Sequence, residues 1–367
     1  MGNRNLASPS HTVIEQLGAY WLRLPLLTPY ENSLGTLSDF DVILISVTDN
    51  SGRIGWGEAC PVKGYSPEDP TEAWNYAEML SPELKGLTPS GIALHLKAWF
   101  QRCPFLVSAI TEAVEDLENE PLLRMSKPGE LELAGTVNTL DASSAAEYAS
   151  GLIEQGYRTL KVKVGYDPKD DAHRVNAIVE AVGDCARLRV DANQGYQVDA
   201  ALAFARSVPE DAIEFFEQPV DSHDWQAMAT IASESPIPIM LDEAIYGDDD
   251  IRRSSAIPGI AAVKLKLSKA GGAKNLYRQF RLAQELGLQV TVGNGVASDL
   301  GCLHEALVCL HMEMPLAGEM NGFIKTDVRL LEQSISVSGP KLVLPASSKT
   351  RLTQKFDNWI HREMTCA

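Results

Sequence analysis

Positive charge is scarce in this chain. Its 367 residues carry 32 Lys and Arg against 49 Asp and Glu, a formal net charge of −17 at pH 7. Phosphate backbones and anionic lipid repel so acidic a surface, which argues against nucleic-acid and membrane partners. Long apolar runs are missing too. Nothing approaches the ~20 consecutive apolar residues of a membrane-spanning helix, and Met1 to Thr12 is polar where a secretory signal would be apolar. The six cysteines (Cys60, Cys103, Cys185, Cys302, Cys309, Cys366) show no CxxC spacing, so a disulfide framework or zinc site is not expected. Reduced thiols in a cytoplasmic protein fit better. His304 and His311, with Cys302 and Cys309, recur at seven-residue spacing on a helical stretch, a pattern of core or interface packing rather than ligation.

What is present is the composition of a soluble globular enzyme, 45% hydrophobic and 22% charged. The length suits one large barrel-type domain or two domains. Residues 41–47 alternate and are β-branched, and Asn50 and Gly52 mark a hairpin turn before Gly55-Trp-Gly-Glu-Ala59. Helical periodicity follows near 71–80, 92–100 and 106–123, up to a Lys127-Pro128-Gly129 breaker. Residues 1–132 therefore read as an α+β domain.

From 133 the pattern changes. Short β-branched runs at 134–140, 159–164, 188–191, 213–217, 237–242, 261–267, 289–293 and 314–319 alternate with helical stretches. Eight such units joined by right-handed crossovers predict an α/β fold, a TIM-type (β/α) barrel over 133–329. The segment 330–367 holds no ninth unit and is expected to return to the N-terminal domain and complete it as a cap. Asp248-Asp249-Asp250 is read as a solvated loop or a first helical turn, and Gly271-Gly272 as a plain turn.

A TIM barrel carries its chemistry at the carboxyl ends of its strands. The second predicted strand ends in Lys161-Val162-Lys163, the third in Asp191-Ala192-Asn193, the fourth in Glu217-Gln218-Pro219 and the fifth in Asp242-Glu243; the sixth carries Lys264-Leu265-Lys266. One charged residue recurs at 163, 191, 217, 242 and 266, at intervals of 28, 26, 25 and 24. Three carboxylates side by side, Asp191, Glu217 and Asp242, would repel one another unless a cation compensates. An oxygen-only ligand set favours Mg²⁺. Lys163 and Lys266 flank the cluster on the preceding and following strands. Like-charge repulsion from the cation and from Lys161 would lower their pKa toward that of a useful base. Lys264 and Lys269 read as ordinary surface or lining residues.

Those parts suggest a reaction. A carboxylate substrate beside Mg²⁺ can spread charge into an enediolate when its α-proton leaves, and two lysines on opposite faces can remove and return that proton. Racemisation or epimerisation follows, or elimination where a β-leaving group is present.

The set Lys161-Val-Lys163, Val190-Asp-Ala-Asn193, Glu217-Gln-Pro219, Leu241-Asp-Glu243 and Lys266-Leu-Ser-Lys-Ala-Gly-Gly272 resembles the enolase superfamily, in its muconate lactonizing enzyme subgroup. Gly55-Trp-Gly-Glu-Ala59 is similar to that family's N-terminal cap. The resemblance implies that Asp191, Glu217 and Asp242 bind Mg²⁺ and that Lys163 and Lys266 form the acid/base pair. It further implies that Lys161 assists the substrate carboxylate, that Asn193 supports the metal shell, that Glu243 pairs with Lys266, and that the protein is a homo-oligomer. Val292-Gly-Asn-Gly295 stands where the mandelate racemase subgroup would place a catalytic His, and 119–132 lacks the Gly-Gly link that many relatives carry.

For the substrate, Glu319 in Gly318-Glu-Met-Asn321 stands where dipeptide epimerases of the subgroup carry acidic residues that hold an ammonium. An amino-acid-like or cationic substrate is one expectation, with Asn321 beside it. Asn294 and Ser298 are further candidates to face substrate, and the polar cap stretches Tyr30 to Ser33 and Lys63 to Ser66 are expected to cover the mouth. An amino acid, N-acyl amino acid or dipeptide leads; cycloisomerisation and dehydration stay open on the same residues. Schiff-base aldolase chemistry would need no carboxylate cluster, and a recruited non-catalytic barrel would be expected to have lost one of the five positions.

Overall fold

The computed structural model describes residues 12–32, 35–346 and 349–366. Its N-terminal part is built on two long antiparallel strands, β1 (Ile14–Asn32) and β2 (Gly35–Asp49), with β3 (Ile54–Ala59) returning along β2. The β2–β3 turn forms because the Asp49 carboxylate accepts from the backbone N–H of Ser51 and Arg53, both at 2.9 Å, while Gly52 takes φ 78°. Helices α1 (Pro70–Leu84), α2 (Pro89–Leu96) and α3 (Pro104–Leu117) share a buried core with the sheet that includes Trp21, Ile43, Ile45, Trp74, Phe105 and Ile110. Each such side chain contributes about 1.5–3 kcal/mol by leaving water.

Local chemistry starts these helices. Asp69 and Glu72 form a reciprocal capping box at α1. Cys103 cannot cap α3, and Glu68 instead accepts from Phe105 N–H (2.7 Å) and Leu106 N–H (3.1 Å). The glycines of Gly55-Trp-Gly57 also have a structural reason. A Cβ on Gly55 would stand 2.1 Å from the Ala113 carbonyl oxygen, and one on Gly57 2.0 Å from that of Ala109. Helix α3 thus lies directly on β3, an approach only glycine allows.

After β4 (Gly129–Glu132) the chain enters a parallel sheet of seven strands. These are β5 (Gly135–Val137), β6 (Thr159–Lys163), β7 (Arg187–Asp191), β8 (Ile213–Glu217), β9 (Ile239–Leu241), β10 (Ile260–Leu265) and β11 (Gln289–Val292), hydrogen-bonded in sequence order. Helices α4 (Ala142–Glu154), α5 (Pro168–Val182), α6 (Val198–Ala205), α7 (Trp225–Glu234), α8 (Asp248–Ser255), α9 (Leu267–Ala270), α10 (Ala273–Glu285) and α11 (Asp299–Met312) complete the units. The acidic run at 248–250 is the first turn of α8, where the helix dipole favours negative charge.

The eighth predicted strand is not a regular strand. The segment at 314–319 closes the barrel through an isolated bridge between Gly318 and Leu133, with Glu319 N–H on the Val292 carbonyl (3.0 Å) and Ala134 N–H on that of Gly318 (2.9 Å). Pro315 has no N–H to donate to a ladder. The expected sixth strand is also shorter. It stops at Leu265, so Lys266 is the cap residue of α9. In the C-terminal part, β12 (Ser336–Ser338) and β13 (Lys341–Leu344) form a small sheet with β4, and β14 (Ile360–Cys366) pairs with β1. Among the described residues no helix is long and apolar enough to cross a membrane.

Two cap carboxylates grip barrel helices. Glu58 on β3 accepts from Ser298 N–H (2.8 Å), Gly301 N–H (3.3 Å) and the Ser298 hydroxyl at the start of α11. Glu115 on α3 accepts from Ala273 N–H (2.7 Å) and Lys274 N–H (3.3 Å) at the start of α10. Burial pushes both carboxyls up, Glu115 to about 7. The cap is thereby fixed over the barrel by the unsatisfied donors of two helix N-termini. Replacing Glu58 by Ala is expected to cost about 3 kcal/mol by stranding those donors, read as a lowered urea midpoint, with Glu58→Gln losing less; equal stability of Glu58→Ala and the unaltered protein would show that the cap is held elsewhere.

Candidate active site

The barrel mouth holds a cavity of about 70 Å³ under the cap. It is smaller than the ~300 Å³ of a small ligand pocket, because lysine side chains fill it. Lys161, Lys163, Lys264 and Lys266 all line it, with Asp191, Asp242 and Glu319 among the acidic residues.

Strand register explains the convergence. Lys163 lies opposite Asp191 on β7, and Asp191 opposite Glu217 on β8; Asp242 follows the last residue of β9. The backbone then turns sharply. Asn193, Gln194 and Gln218 adopt left-handed φ of 41°, 68° and 36°, strained values for non-glycine residues. The turn lets the Gln218 side-chain oxygen accept from Asp242 N–H (3.0 Å) and Ala244 N–H (3.2 Å), which ties the fifth stave end to the fourth.

Each carboxylate is met by ammonium groups. Lys161 Nζ lies 2.8 Å from Asp191, 2.8 and 2.9 Å from the two oxygens of Glu217, and 2.8 Å from Glu319. Lys163 Nζ contacts Asp191 at 2.7 Å and the Asn193 side-chain oxygen at 2.5 Å. Lys264 reaches Glu217 at 3.2 Å and pairs with Glu319. Lys266 Nζ stands 2.7 Å from Asp242, and Lys269 Nζ lies 2.9 Å from the same carboxylate and 2.6 Å from its backbone carbonyl. Against the opposing effect of burial, Lys161, Lys163 and Lys264 hold the Asp191 carboxyl well below its usual range; Lys266 and Lys269 do the same for Asp242. Glu217 goes the other way, pushed up by burial and by Asp191.

Burial works to lower Lys161 and Lys266, but the facing carboxylates outweigh it and hold both above the ordinary lysine value. Lowering by burial, with Lys266 as a repelling neighbour, falls on Lys269 instead. Of the surface-or-lining reading for Lys264 and Lys269, the surface half does not hold: both are buried members of the charge array, and Lys264 lines the cavity.

Other expected residues separate. Asn193 donates to Glu243 at 3.0 Å, so Glu243 takes Asn193 as its hydrogen-bond partner while Lys266 pairs with Asp242. Burial, with Asp242 and Asp191 nearby, raises the Glu243 carboxyl to about 7. Asn294, Glu319 and Asn321 line the cavity; Asn321 donates to the Thr136 hydroxyl (3.2 Å). Ser298 is not among the described residues that line it. Its hydroxyl caps α11 (Leu300 N–H, 3.1 Å) and meets Glu58, because a serine preceding a helix satisfies the helix's first donors. The Tyr30 side chain, and Ser33 altogether, lie outside the described residues. His304 is buried between Glu112 (3.4 Å) and Thr350 (3.1 Å), in a packing role.

Tyr65, within the cap stretch 63–66, covers the site. Its ring centroid lies 4.4 Å from Lys266 Nζ, and its hydroxyl touches that ammonium and donates to Asp242 at 3.1 Å. Lys264 was readable by the period-two rule that aligns Lys161 with Lys163; nothing local in sequence singles out Tyr65.

The cation-binding donors here are oxygens, as a hard divalent ion requires. As placed, they point at lysines, and among the described residues no three His, Cys, Asp or Glu side chains converge as a ready metal cage. The donor type fits Mg²⁺; occupancy would require these carboxylates to exchange lysine contacts for the ion.

Comparison with known proteins is consistent with this geometry. Residues 144–346 match the family model described as enolase C-terminal domain-like. The chain is 29% identical over 326 residues to an N-succinyl-L-Arg/Lys racemase of Bacillus cereus, covering 85% of this chain and 88% of that one. It is 30% identical over 308 residues to a D-Ala-D/L-Ala epimerase of Cytophaga hutchinsonii, covering 81% and 84%. A crystal structure of a dipeptide epimerase from Cytophaga hutchinsonii, complexed with Mg and D-Ala-L-Val, superposes with a TM-score of 0.87 at 26% identity over 96% of this chain and 99% of that one. A muconate lactonizing enzyme from Pseudomonas fluorescens shares the fold, with a TM-score of 0.87 over 96% and 100%. With a family match across more than half its length and a lysine–carboxylate array at its barrel mouth, the chain belongs to the mandelate racemase/muconate lactonizing enzyme family of the enolase superfamily.

Proposed function

We propose that this protein is a Mg²⁺-dependent racemase or epimerase that removes and returns the α-proton of an amino-acid-type carboxylate, with Lys163 and Lys266 as the acid/base pair. The observation that carries this reading is the placement of the two lysines. They come from the second and sixth staves of an eight-stave ring, half a turn apart, and both line one cavity beside Asp191 and Asp242. A substrate carbon between them would have one Nζ on each face. One lysine takes the proton from its face; the other delivers a proton to the opposite face, and the configuration inverts.

The remaining residues serve that exchange. Lys161 offers an ammonium to the substrate carboxylate. Asn193 orients Lys163, and Tyr65 closes over Lys266 to exclude water. Asp191, Glu217 and Asp242 are the residues that would hold Mg²⁺, which when bound would favour negative charge on the substrate carboxylate. Names among the relatives support the same class: an N-succinyl-L-Arg/Lys racemase and several dipeptide epimerases.

Proton NMR in D₂O with Mg²⁺, over a panel of N-acyl amino acids and dipeptides, should show the α-proton signal wash out without loss of water. Lys163→Ala and Lys266→Ala should each lower the racemisation kcat about 10²–10⁴-fold. Elimination or ring closure without exchange would turn the assignment to a lyase or cycloisomerase. Calorimetric titration of chelator-treated protein should show Mg²⁺ binding that Asp242→Asn weakens at least about tenfold; binding unchanged in that variant would remove Asp242 from the ligand set.

A further inference from the structure

Glu319 stands where the sequence suggests a receptor for a substrate ammonium, yet its charge is already committed. Its Oε2 meets Lys161 Nζ at 2.8 Å and pairs with Lys264. Both lysines also hold Glu217, and Lys161 shares Asp191 with Lys163, so three ammoniums and three carboxylates interlock, all six side chains buried. Arg189, the register partner of Lys161 on the neighbouring strand, is buried as well, with its guanidinium held by Glu214 (2.6 Å) and the Ala317 carbonyl (2.7 Å). A third ammonium brought to Glu319 from the cavity would face Lys161 and Lys264 with little uncompensated negative charge to receive it.

What Glu319 still offers is one acceptor. Among the described residues its buried Oε1 has no hydrogen-bond partner, while the side chain lines the cavity. A single acceptor atom suits a neutral N–H, which brings one hydrogen and no charge. Asn294, Asn321 and Thr136, also on the lining, are polar and uncharged, and Lys325 on the same lining is a further cation that would repel an ammonium.

Resting on the racemase reading above, we propose that Lys264 is a positioning residue that sets substrate class: by engaging Glu319 it selects N-acylated amino acids, presenting a neutral amide, over dipeptides with a free amino terminus. Lys264 touches no reacting atom in this scheme and acts through Glu319.

Matched pairs separate the alternatives. An N-propionyl amino acid and the corresponding L-alanyl dipeptide share the amide N–H and differ only in an ammonium replacing one hydrogen. For the same reacting residue, kcat/KM for α-proton exchange and calorimetric affinity for the Mg²⁺-treated protein should both favour the propionyl compound by at least about tenfold. Lys264→Met should narrow that ratio about tenfold or reverse it, and Lys264→Arg should preserve it; a merely structural lysine would change both rates together and leave the ratio alone. Equal or better use of the alanyl compounds by the unaltered protein overturns this proposal while leaving the racemase reading intact, as does an unmoved ratio in a folded Lys264→Met. Failure of every pair to exchange or to bind overturns both.

Discussion

Ten ionisable side chains buried together at one end of a barrel are the constraint on which the rest depends. Lys161, Lys163, Lys264, Lys266 and Lys269 face Asp191, Glu217, Asp242, Glu243 and Glu319, and every one of them is withdrawn from water. Isolated, any of these charges would carry a desolvation penalty of several kcal/mol. Interleaved, they balance in formal charge, and the array tolerates burial because nearly every oxygen has an ammonium or amide partner. The unpartnered oxygens of Glu243 and Glu319 mark where the network has capacity left.

That balance has a functional side. A divalent cation and a singly charged carboxylate, arriving together, would change the net charge of the array by one unit. Lysines displaced from Asp191 and Asp242 would then be available at the substrate, one on each face. Strand pairing holds the array in register, and the cap covers it, supplying Tyr65 over Lys266 and gripping α10 and α11 through Glu115 and Glu58. The Gly55-Trp-Gly57 motif belongs to the same construction, since it lets α3 lie against β3 and present Glu115 to the barrel.

Much of this was legible in sequence because barrels repeat. A charged residue every 24 to 28 positions identifies five stave ends without any knowledge of packing. The eighth stave was less legible: hydrophobic content predicts a strand at 314–319, but Pro315 cannot join a ladder, and the closure rests on a few bonds around Gly318. Lys264 and Lys269 differ in what the sequence encodes. Residues 264 and 266 share an inward face by strand alternation, as 161 and 163 do, whereas Lys269 reaches Asp242 from the short helix α9, a contact that no strand pattern encodes. Ser298 illustrates competition between roles, its hydroxyl being taken by helix capping and Glu58 rather than by the cavity. Tyr65 and Lys266 lie 201 residues apart, and such a meeting belongs to tertiary structure alone.

The claim that two lysines address opposite faces of one carbon is tested most directly by following each enantiomer of an exchanging N-acyl amino acid separately in D₂O with single-lysine variants. The account predicts that Lys163→Ala still exchanges the α-proton of one enantiomer, that Lys266→Ala exchanges only the other, and that neither interconverts the two at an appreciable rate. Loss of exchange from the same enantiomer in both variants would contradict it, since the lysines would then serve a single face.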